Sequence, residues 1–261
     1  MNTLMLISII LILLSLVAFA FKVRQWVQAI RQDANRIEAT LNQLHKQTKD
    51  SIGRATEESI NATCLSSLGF QFPVFLGGPS IDAWHARSLL FILQEYKPRT
   101  ILELGSGSST IIIARTLQIM GISPELHISV DHESRFLSNT QELARNNRVD
   151  QLVNFEHCPL QPLADFDLPW YSRIPELVGH TKLDLVVIDG PPAYAENMGN
   201  AREPALTVLR PYLNDNAVII LDDANRLGEQ DVVAAWLKQY PEFHLLHMPE
   251  GKGIAVLTFH T

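Results

Sequence analysis

Apolar segments of strand length alternate with helical patterns from residue 80 onward in this 261-residue chain. The predicted strands cover 100–104, 126–130, 152–156, 183–188 and 217–221, with a closing pair at 243–247 and 254–259. The predicted helices cover 82–96, 110–120, 133–146, 201–209 and 229–240. Because strands that alternate with helices pair in parallel, the pattern predicts an α/β fold with a doubly wound, mostly parallel seven-stranded sheet. Ligands of such sheets bind at the carboxyl ends of the strands.

The N-terminal segment is uniformly apolar, with no charged side chain among residues 1–21. The 18 residues of segment 4–21 would rise roughly 27 Å as a helix, close to the thickness of a bilayer's hydrocarbon core. We therefore expect a single transmembrane anchor at 1–21. The alternative is a cleaved signal peptide, with Ala18-Phe19-Ala20 as the cleavage site.

Basic residues follow the apolar segment and none precedes it, which favours the anchor over the signal peptide. By the positive-inside rule the basic end faces the cytosol. The expected topology is a single pass through the cytoplasmic (inner) membrane, with a short N-terminus outside and the globular part in the cytosol. The basic residues nearest the segment are Lys22, Arg24, Arg31 and Arg36.

Residues 22–60 are predicted to form a helical stalk, because apolar residues recur there at alternating spacings of three and four. Such a seam either pairs two chains as a coiled coil, giving a homodimer, or belongs to an amphipathic helix that lies on the membrane or packs on its own domain. Residues 61–79 are predicted to be a linker and 80–261 the globular domain. The seam consists of Val23, Val27, Ile30, Ala34, Ile37, Leu41, Leu44 and Thr48.

Charge and cysteine content exclude two classes of protein. The net charge is −7 for the chain, made up of +2 in residues 22–60 and −9 in residues 61–261. This balance argues against a nucleic-acid partner bound through its phosphates. The chain has two cysteines, Cys64 and Cys158, too few for a disulfide framework or a zinc site built on a cysteine cluster.

Acidic residues cluster at the carboxyl ends of the predicted strands. Each residue alone could cap a helix or form a turn, but together they are better explained as one site at one edge of the sheet. The first strand leads into a glycine turn that allows close approach of the backbone to a ligand. The residues concerned are Glu103 with the turn Gly105-Ser106-Gly107, then Asp131, Asp189 and the pair Asp222-Asp223.

Three segments resemble the cofactor motifs of class I S-adenosylmethionine-dependent methyltransferases, a family with a Rossmann-like fold. They are Ile101-Leu-Glu-Leu-Gly-Ser-Gly-Ser-Ser109, Ser129-Val-Asp-His132 and Asp184-Leu-Val-Val-Ile-Asp-Gly-Pro-Pro192. The resemblance implies that the turn at Gly105, Ser106 and Gly107 passes under the methionine moiety, with Glu103 near its ammonium group. It also implies that Asp131 holds the ribose hydroxyls.

The same resemblance places three further residues, His132, His157 and Cys158, beside the adenine. For the two histidines, a partly exposed loop position is the alternative interpretation.

Asp189, Asp222 and Asp223 stand where the small-molecule O-methyltransferase branch of this family carries its metal ligands. The resemblance therefore implies Mg²⁺ or a similar divalent cation, which would lower the pKa of an acceptor hydroxyl. Two departures weaken this expectation. The usual final pair is Asp-Asn, and the usual catalytic lysine is missing from segment 190–194. In a metal-dependent enzyme the base would then be Asp222 or Asp223, and a metal-free site in which Asp189 binds the acceptor directly is the alternative.

Two loops, 158–182 and 193–202, are expected to cover the acceptor. Trp170 and Tyr171 in the first would stack on a ring or sugar, or pack beneath the loop. Arg202 and Arg226 would meet an anionic acceptor, or form ion pairs at the surface.

The sequence thus predicts a membrane-anchored methyltransferase that transfers a methyl group from S-adenosylmethionine to an oxygen of a small-molecule or lipid-linked acceptor. Asp189, Asp222 and Asp223 are its predicted catalytic and metal-binding residues. A nicotinamide-dependent oxidoreductase and a non-catalytic membrane scaffold are the alternatives, and the lack of a third glycine at Thr110 disfavours the first.

Overall fold

The computed structural model describes residues 3–164, 166–193 and 198–259. These residues divide into two compact units, with the boundary between Thr56 and Glu57.

The first unit consists of most of one long helix, α1 (Thr3–Thr63). The predicted anchor and stalk both fall on this helix, whose side chains are exposed from residue 12 to residue 57. Within the described residues it is the one helix that is long and apolar enough to cross a membrane, judged by length and composition. The heptad seam lies on this exposed stretch of the helix.

The second unit is an α/β domain built on a seven-stranded sheet with the order β3-β2-β1-β6-β7-β9-β8. Its helices are α2 (Ala83–Tyr96), α3 (Ser108–Ile119), α4 (Ser134–Asn146), α5 (Ile174–Val178), α6 (Pro204–Leu209) and α7 (Leu227–Gln239). Its strands are β1 (Thr100–Leu104), β2 (Leu126–Asp131), β3 (Asn154–His157), β4 (Leu160–Gln161), β5 (Trp170–Tyr171), β6 (Leu183–Ile188), β7 (Leu213–Asp222), β8 (Phe243–Met248) and β9 (Ile254–Phe259).

The strands from β3 to β7 in this order are parallel, whereas β9 is antiparallel to both β7 and β8. The predicted mostly parallel seven-stranded sheet is therefore confirmed. Successive side chains of β6 enter the cores on opposite faces of the sheet, as a doubly covered strand requires. Because β1 pairs with β2 on one side and β6 on the other, the chain reverses direction across the sheet at β1.

Two segments differ from their sequence-based descriptions. Within the predicted linker 61–79, Leu65 and Leu68 are buried against α2 and α3, so part of this segment belongs to the core. The loop 158–182 contains the β4–β5 hairpin and α5, and Ile174 is fully buried. Short-range pattern did not show either feature, because both depend on packing partners far away in sequence.

Candidate active site

A cleft opens at the carboxyl ends of the central strands, next to the point where the chain reverses direction. Its volume is about 520 Å³, within the range of roughly 300–1,000 Å³ that is typical of small-molecule sites. Residues drawn from segments 75–81, 105–109 and 131–143 form most of its wall, and Asp189 also lines it.

The glycine turn between β1 and α3 forms part of this wall. Gly105 has φ +100°, a backbone conformation that residues other than glycine rarely adopt. A Cβ atom at Gly105 would also lie 3.3 Å from the Asp189 carbonyl carbon and the Gly190 nitrogen. At Gly107 a Cβ would meet nothing within 4 Å, so this residue leaves open space beside the cleft.

Asp131 and Ser106 form the hydrogen-bonded part of the same wall. The Ser106 backbone nitrogen and hydroxyl both donate to Asp131 Oδ2, at 3.1 and 3.0 Å. The Glu133 nitrogen donates to the other carboxylate oxygen at 2.9 Å. His132 also lines the cleft, with Nδ1 3.4 Å from Asp131 Oδ1. The structure thus brings these predicted cofactor-binding residues together.

Two other predicted cofactor residues do not line the cleft. Glu103 is fully buried, and its carboxylate is bound by His127 Nε2 at 2.7 Å and by the Ser109 hydroxyl at 2.9 Å. Ser109 lines the cleft, so Glu103 is linked to it through this hydroxyl. His157 is exposed, and its Nε2 lies 3.0 Å from the carbonyl oxygen of His132. The third residue expected beside the adenine, Cys158, is buried in the hydrophobic core.

The three aspartates at the ends of β6 and β7 converge as predicted, with one oxygen of each within 4.8 Å of the others. Their surroundings differ. Asp189 lines the cleft and its side chain is 29% exposed. The side chains of Asp222 and Asp223 are 2% and 7% exposed. Of the three, Asp189 is therefore the carboxylate that a bound molecule can reach.

Arg202 lies within this cluster, and its side chain is 3% exposed. Its Nη2 is 3.1 Å from Asp189 Oδ1 and 3.4 Å from Asp223 Oδ2. A further carboxylate, Glu229, lies 3.4 Å from Nη1. The sequence predicted that Arg202 either binds the acceptor or forms an ion pair at the surface. The structure instead places it as a buried cation among Asp189, Asp222, Asp223 and Glu229.

His85 on α2 also belongs to the cluster, and no local sequence pattern indicated it. Its Nδ1 donates to Asp222 Oδ1 at 2.8 Å, although the two residues are 137 positions apart. Burial alone would lower the pKa of His85, but attraction to the Asp222 carboxylate outweighs it and the pKa is raised. Burial would also raise the pKa of Asp222, but His85 overrides that effect and lowers it to about 2.

Asp189 shows the opposite shift. Burial and repulsion from Asp222 raise its pKa to about 7, even though Arg202 opposes the change. A carboxyl group with this acidity exchanges a proton near neutral pH, which is the property required of a general base.

The two aromatic residues of β5 are part of the domain's core. Trp170 and Tyr171 are 1% and 2% exposed, and their rings are packed edge to face. Tyr171 also lies at the cleft wall next to Gly190, and its buried hydroxyl has no hydrogen-bond partner in the described part of the chain. Packing thus accounts for both rings, although the buried Trp170 Nε1 likewise has no hydrogen-bond partner among the described residues.

Comparison with known proteins agrees with this geometry. The sequence model of the family described as "Methyltransferase domain" matches residues 102–224, which run from β1 to the end of the acidic cluster. The chain carries a class I methyltransferase domain. The cofactor of this domain is S-adenosylmethionine. No curated protein sequence gives a significant match to the whole chain.

Solved structures share the fold of the methyltransferase domain. They include the methyltransferase PaMTH1 of Podospora anserina with bound SAH, at 15% identity and a TM-score of 0.54, covering 70% of this chain and 81% of that one. The O-methyltransferase TomG of Streptomyces achromogenes, in complex with SAM, has 14% identity and a TM-score of 0.55, covering 80% and 99%. An O-methyltransferase of Bacillus cereus in complex with SAH has 16% identity and a TM-score of 0.52, covering 77% and 88%.

The methyltransferase domain has carboxylates suited to a divalent cation, but its own cations surround them. Arg202 is bound to Asp189 and Asp223, and His85 is bound to Asp222. The second arginine expected near the acceptor, Arg226, also lies 2.9 Å from Asp223 Oδ2. Asp189 and Asp223 are thus paired with guanidinium groups, and Asp222 accepts a hydrogen bond from His85. The cluster therefore does not fit a divalent metal ion.

Proposed function

We propose that the protein is an O-methyltransferase whose acceptor, a small or lipid-linked molecule, reaches Asp189 at the end of the cofactor cleft. The observation that carries this proposal is the position of Asp189. It is a partly exposed carboxylate that packs against the glycine turn of the cofactor site. Two proteins with solved structures of this fold, TomG and the Bacillus cereus protein, are O-methyltransferases, which supports oxygen as the atom methylated.

In this proposal the cofactor lies along the wall formed by the glycine turn and by Asp131. Asp131 accepts hydrogen bonds from the two ribose hydroxyls, while Ser106 fixes the orientation of its carboxylate. His132 lies against the adenine.

Methyl transfer then follows from the placement of Asp189. Its carboxylate accepts the proton of an acceptor hydroxyl, and the acceptor oxygen attacks the methyl carbon of the sulfonium. The bond from oxygen to methyl forms as the bond from sulfur to methyl breaks. The products are the methyl ether and S-adenosylhomocysteine, and the proton remains on Asp189 until solvent removes it. Asp222 and Asp223 are too buried to take part directly and instead hold His85 and Arg202 in place.

The experiment is methyl transfer by the full chain in detergent, using S-adenosylmethionine labelled in its methyl group and an extract of membrane lipids and small metabolites as acceptors. We expect label in an extractable product that is stable to mild base, as an ether is and an ester is not. Label in a base-labile product would contradict ether formation. Binding of NAD, with no binding of S-adenosylmethionine, would favour the oxidoreductase, and binding of neither would favour the scaffold.

We further propose that α1 anchors the enzyme in the cytoplasmic membrane by residues 1–21, with the methyltransferase domain in the cytosol. The length of the apolar segment at the start of this helix and the basic residues that follow that segment support the proposal. An anchor would bring the active site to acceptors that are held in the membrane. Mass spectrometry of the chain in membranes that have been washed with alkaline carbonate tests it. We expect the chain to stay in the membranes at its full-length mass. A chain shortened at about residue 20, or release into the wash, would contradict it.

The stalk is proposed to pair two copies of the chain through its heptad seam. Seam residues such as Ile37 and Leu41 are 68% and 64% exposed in the single chain, which leaves an apolar stripe available to a partner helix. Crosslinking in intact membranes should give a dimer that Ile37→Asp abolishes, while Asn42→Asp, outside the seam, leaves it intact. A dimer that persists in Ile37→Asp, or a wild-type chain that crosslinks only as a monomer, would contradict the proposal.

A further inference from the structure

The buried guanidinium of Arg202 bridges two carboxylates of the acidic cluster. Nη2 lies between Asp189 and Asp223, and Nη1 faces Glu229 on the opposite side. Attraction to these carboxylates raises the pKa of Arg202 despite its burial, so the group is a permanent cation. A positive charge that joins carboxylates from two neighbouring strand ends performs the electrostatic task of a bound metal ion.

Backbone carbonyls fix the guanidinium in this position. Nη2 donates to the Asp189 carbonyl oxygen at 2.7 Å, and Nη1 donates to that of Asp222 at 2.9 Å. Nε donates to the Pro191 carbonyl oxygen at 3.3 Å. To leave the cluster, the side chain would have to break all three bonds and expose buried carbonyls. The cation is therefore built into the loop after β6, where it cannot be exchanged for one from solution.

We propose that Arg202 supplies within the chain the positive charge that a divalent cation would supply, so that the cluster of Asp189, Asp222 and Asp223 binds no divalent cation unless Arg202 is removed. The proposal rests on the proposed function only in placing this cluster beside the acceptor. It has two parts that can be measured separately. The wild-type cluster excludes divalent cations, and a variant without the guanidinium accepts one.

The charges around the cluster explain both parts. In the wild type, a divalent ion at the three aspartates would lie beside the guanidinium groups of Arg202 and Arg226, which both repel it. Without Arg202, the Asp189 oxygen and one of the Asp223 oxygens lose a hydrogen-bonded partner. Their oxygens lie within 4.8 Å of one another and of Asp222, a spacing at which one hard cation can bridge them.

The test is binding of Mn²⁺ to the full chain in detergent. The electron paramagnetic resonance signal of the free ion measures how much Mn²⁺ is bound. We expect no stoichiometric binding by the wild type or by Arg99→Ala, a control in which an exposed arginine loses its ion pair with Glu125. We expect Arg202→Ala to bind one Mn²⁺ at least about tenfold more tightly than the wild type, because one repelling cation is gone. Arg202→Lys, which keeps the charge, should behave as the wild type does.

Stoichiometric Mn²⁺ binding by the wild type that Asp189→Asn abolishes would overturn the first part. A folded Arg202→Ala variant that binds no Mn²⁺ would overturn the second. Should this variant lose its near-ultraviolet circular dichroism, refolding decides the matter. The proposal expects Mn²⁺ or Mg²⁺ to restore the spectrum where Na⁺ does not, and failure of both divalent ions would overturn it.

Binding of S-adenosylmethionine to the wild type in the presence of a chelator separates this inference from the proposed function. Loss of cofactor binding would contradict the methyltransferase account and leave the Mn²⁺ result interpretable. Unchanged cofactor binding with stoichiometric wild-type Mn²⁺ binding would overturn the inference alone.

Discussion

Asp189 and Asp222 are chemically identical side chains that their surroundings push in opposite directions. Burial and the neighbouring Asp222 carboxylate raise the pKa of Asp189 to about 7, whereas the ion pair with His85 lowers that of Asp222 to about 2. Such a pair separates two tasks. Asp189 can gain and lose a proton at neutral pH, while Asp222 stays charged and positions the histidine.

Asp189→Asn should lower kcat by about 100-fold or more, because the amide cannot accept the acceptor's proton. In the wild type kcat should rise with pH up to about 7 and then level off, since the base works only when deprotonated. Initial rates between pH 5 and 9, roughly two units on either side of this value, measure both effects. Asp231→Asn, an exposed change on α7, is the control. A variant with the wild-type rate, or a wild-type profile flat through pH 7, would contradict this role.

At the scale of elements, the turn between β1 and α3 depends on two glycines for different reasons. Gly105 has a positive φ, and a Cβ there would crowd the backbone of Asp189 and Gly190, so its role is structural as well as functional. Gly107 has φ 173°, which any residue adopts, and leaves space open beside the cleft. Alanine at each position therefore separates the contribution of the turn to stability from its contribution to cofactor binding.

Gly105→Ala should reduce the free energy of unfolding by about 1–3 kcal/mol, because it strains the backbone and crowds β6. Gly107→Ala should leave stability nearly unchanged and weaken cofactor binding, because its methyl group projects into the open space. Chemical denaturation and calorimetry with S-adenosylmethionine measure the two quantities. Equal stability losses in both variants, or undiminished cofactor affinity in Gly107→Ala, would count against this division of roles.

Local patterns were sufficient to predict most elements of the domain. The strand 183–188 was placed with its observed bounds, because a continuous apolar run is a strong signal. The β4–β5 hairpin and α5 were not predicted, since they are short and rich in proline and are held by core packing. The Asp189–Asp222–Asp223 cluster followed from the rule that parallel strands end at one edge. His85 and the burial of Arg202 could not be predicted, because contacts between distant segments create them.

At the scale of the whole molecule, charge and apolar length are unevenly distributed. An uncharged segment at 1–21 is followed by a stalk of net charge +2 and a remainder of net charge −9. An acidic domain is repelled by anionic lipid surfaces, so the basic stalk and the apolar segment are the parts suited to hold the membrane.

The proposed topology predicts where Cys64 can be labelled. Cys64 is exposed and Cys158 is buried, so a membrane-impermeant maleimide has one accessible target in the folded protein. Intact cells should show no labelling until the membrane is permeabilised, because Cys64 lies on the cytosolic side. Cys64→Ser should abolish the signal, and Asn2→Cys in that background should be labelled in intact cells. Equal labelling of Cys64 before and after permeabilisation would contradict the proposed topology, because it would place Cys64 outside the cell.

The central claim is that the cleft between the glycine turn and Asp131 binds S-adenosylmethionine. Calorimetry on the full chain in detergent tests it most directly, by comparing the wild type with Asp131→Ala. Glu142→Ala, a change at an exposed residue of α4, is the control. We expect the wild type and Glu142→Ala to bind one equivalent of cofactor equally well. Asp131→Ala should bind it about 10–100-fold more weakly, because charged hydrogen bonds to the ribose are lost. No binding by the folded wild type, or unchanged affinity in Asp131→Ala, would contradict the account.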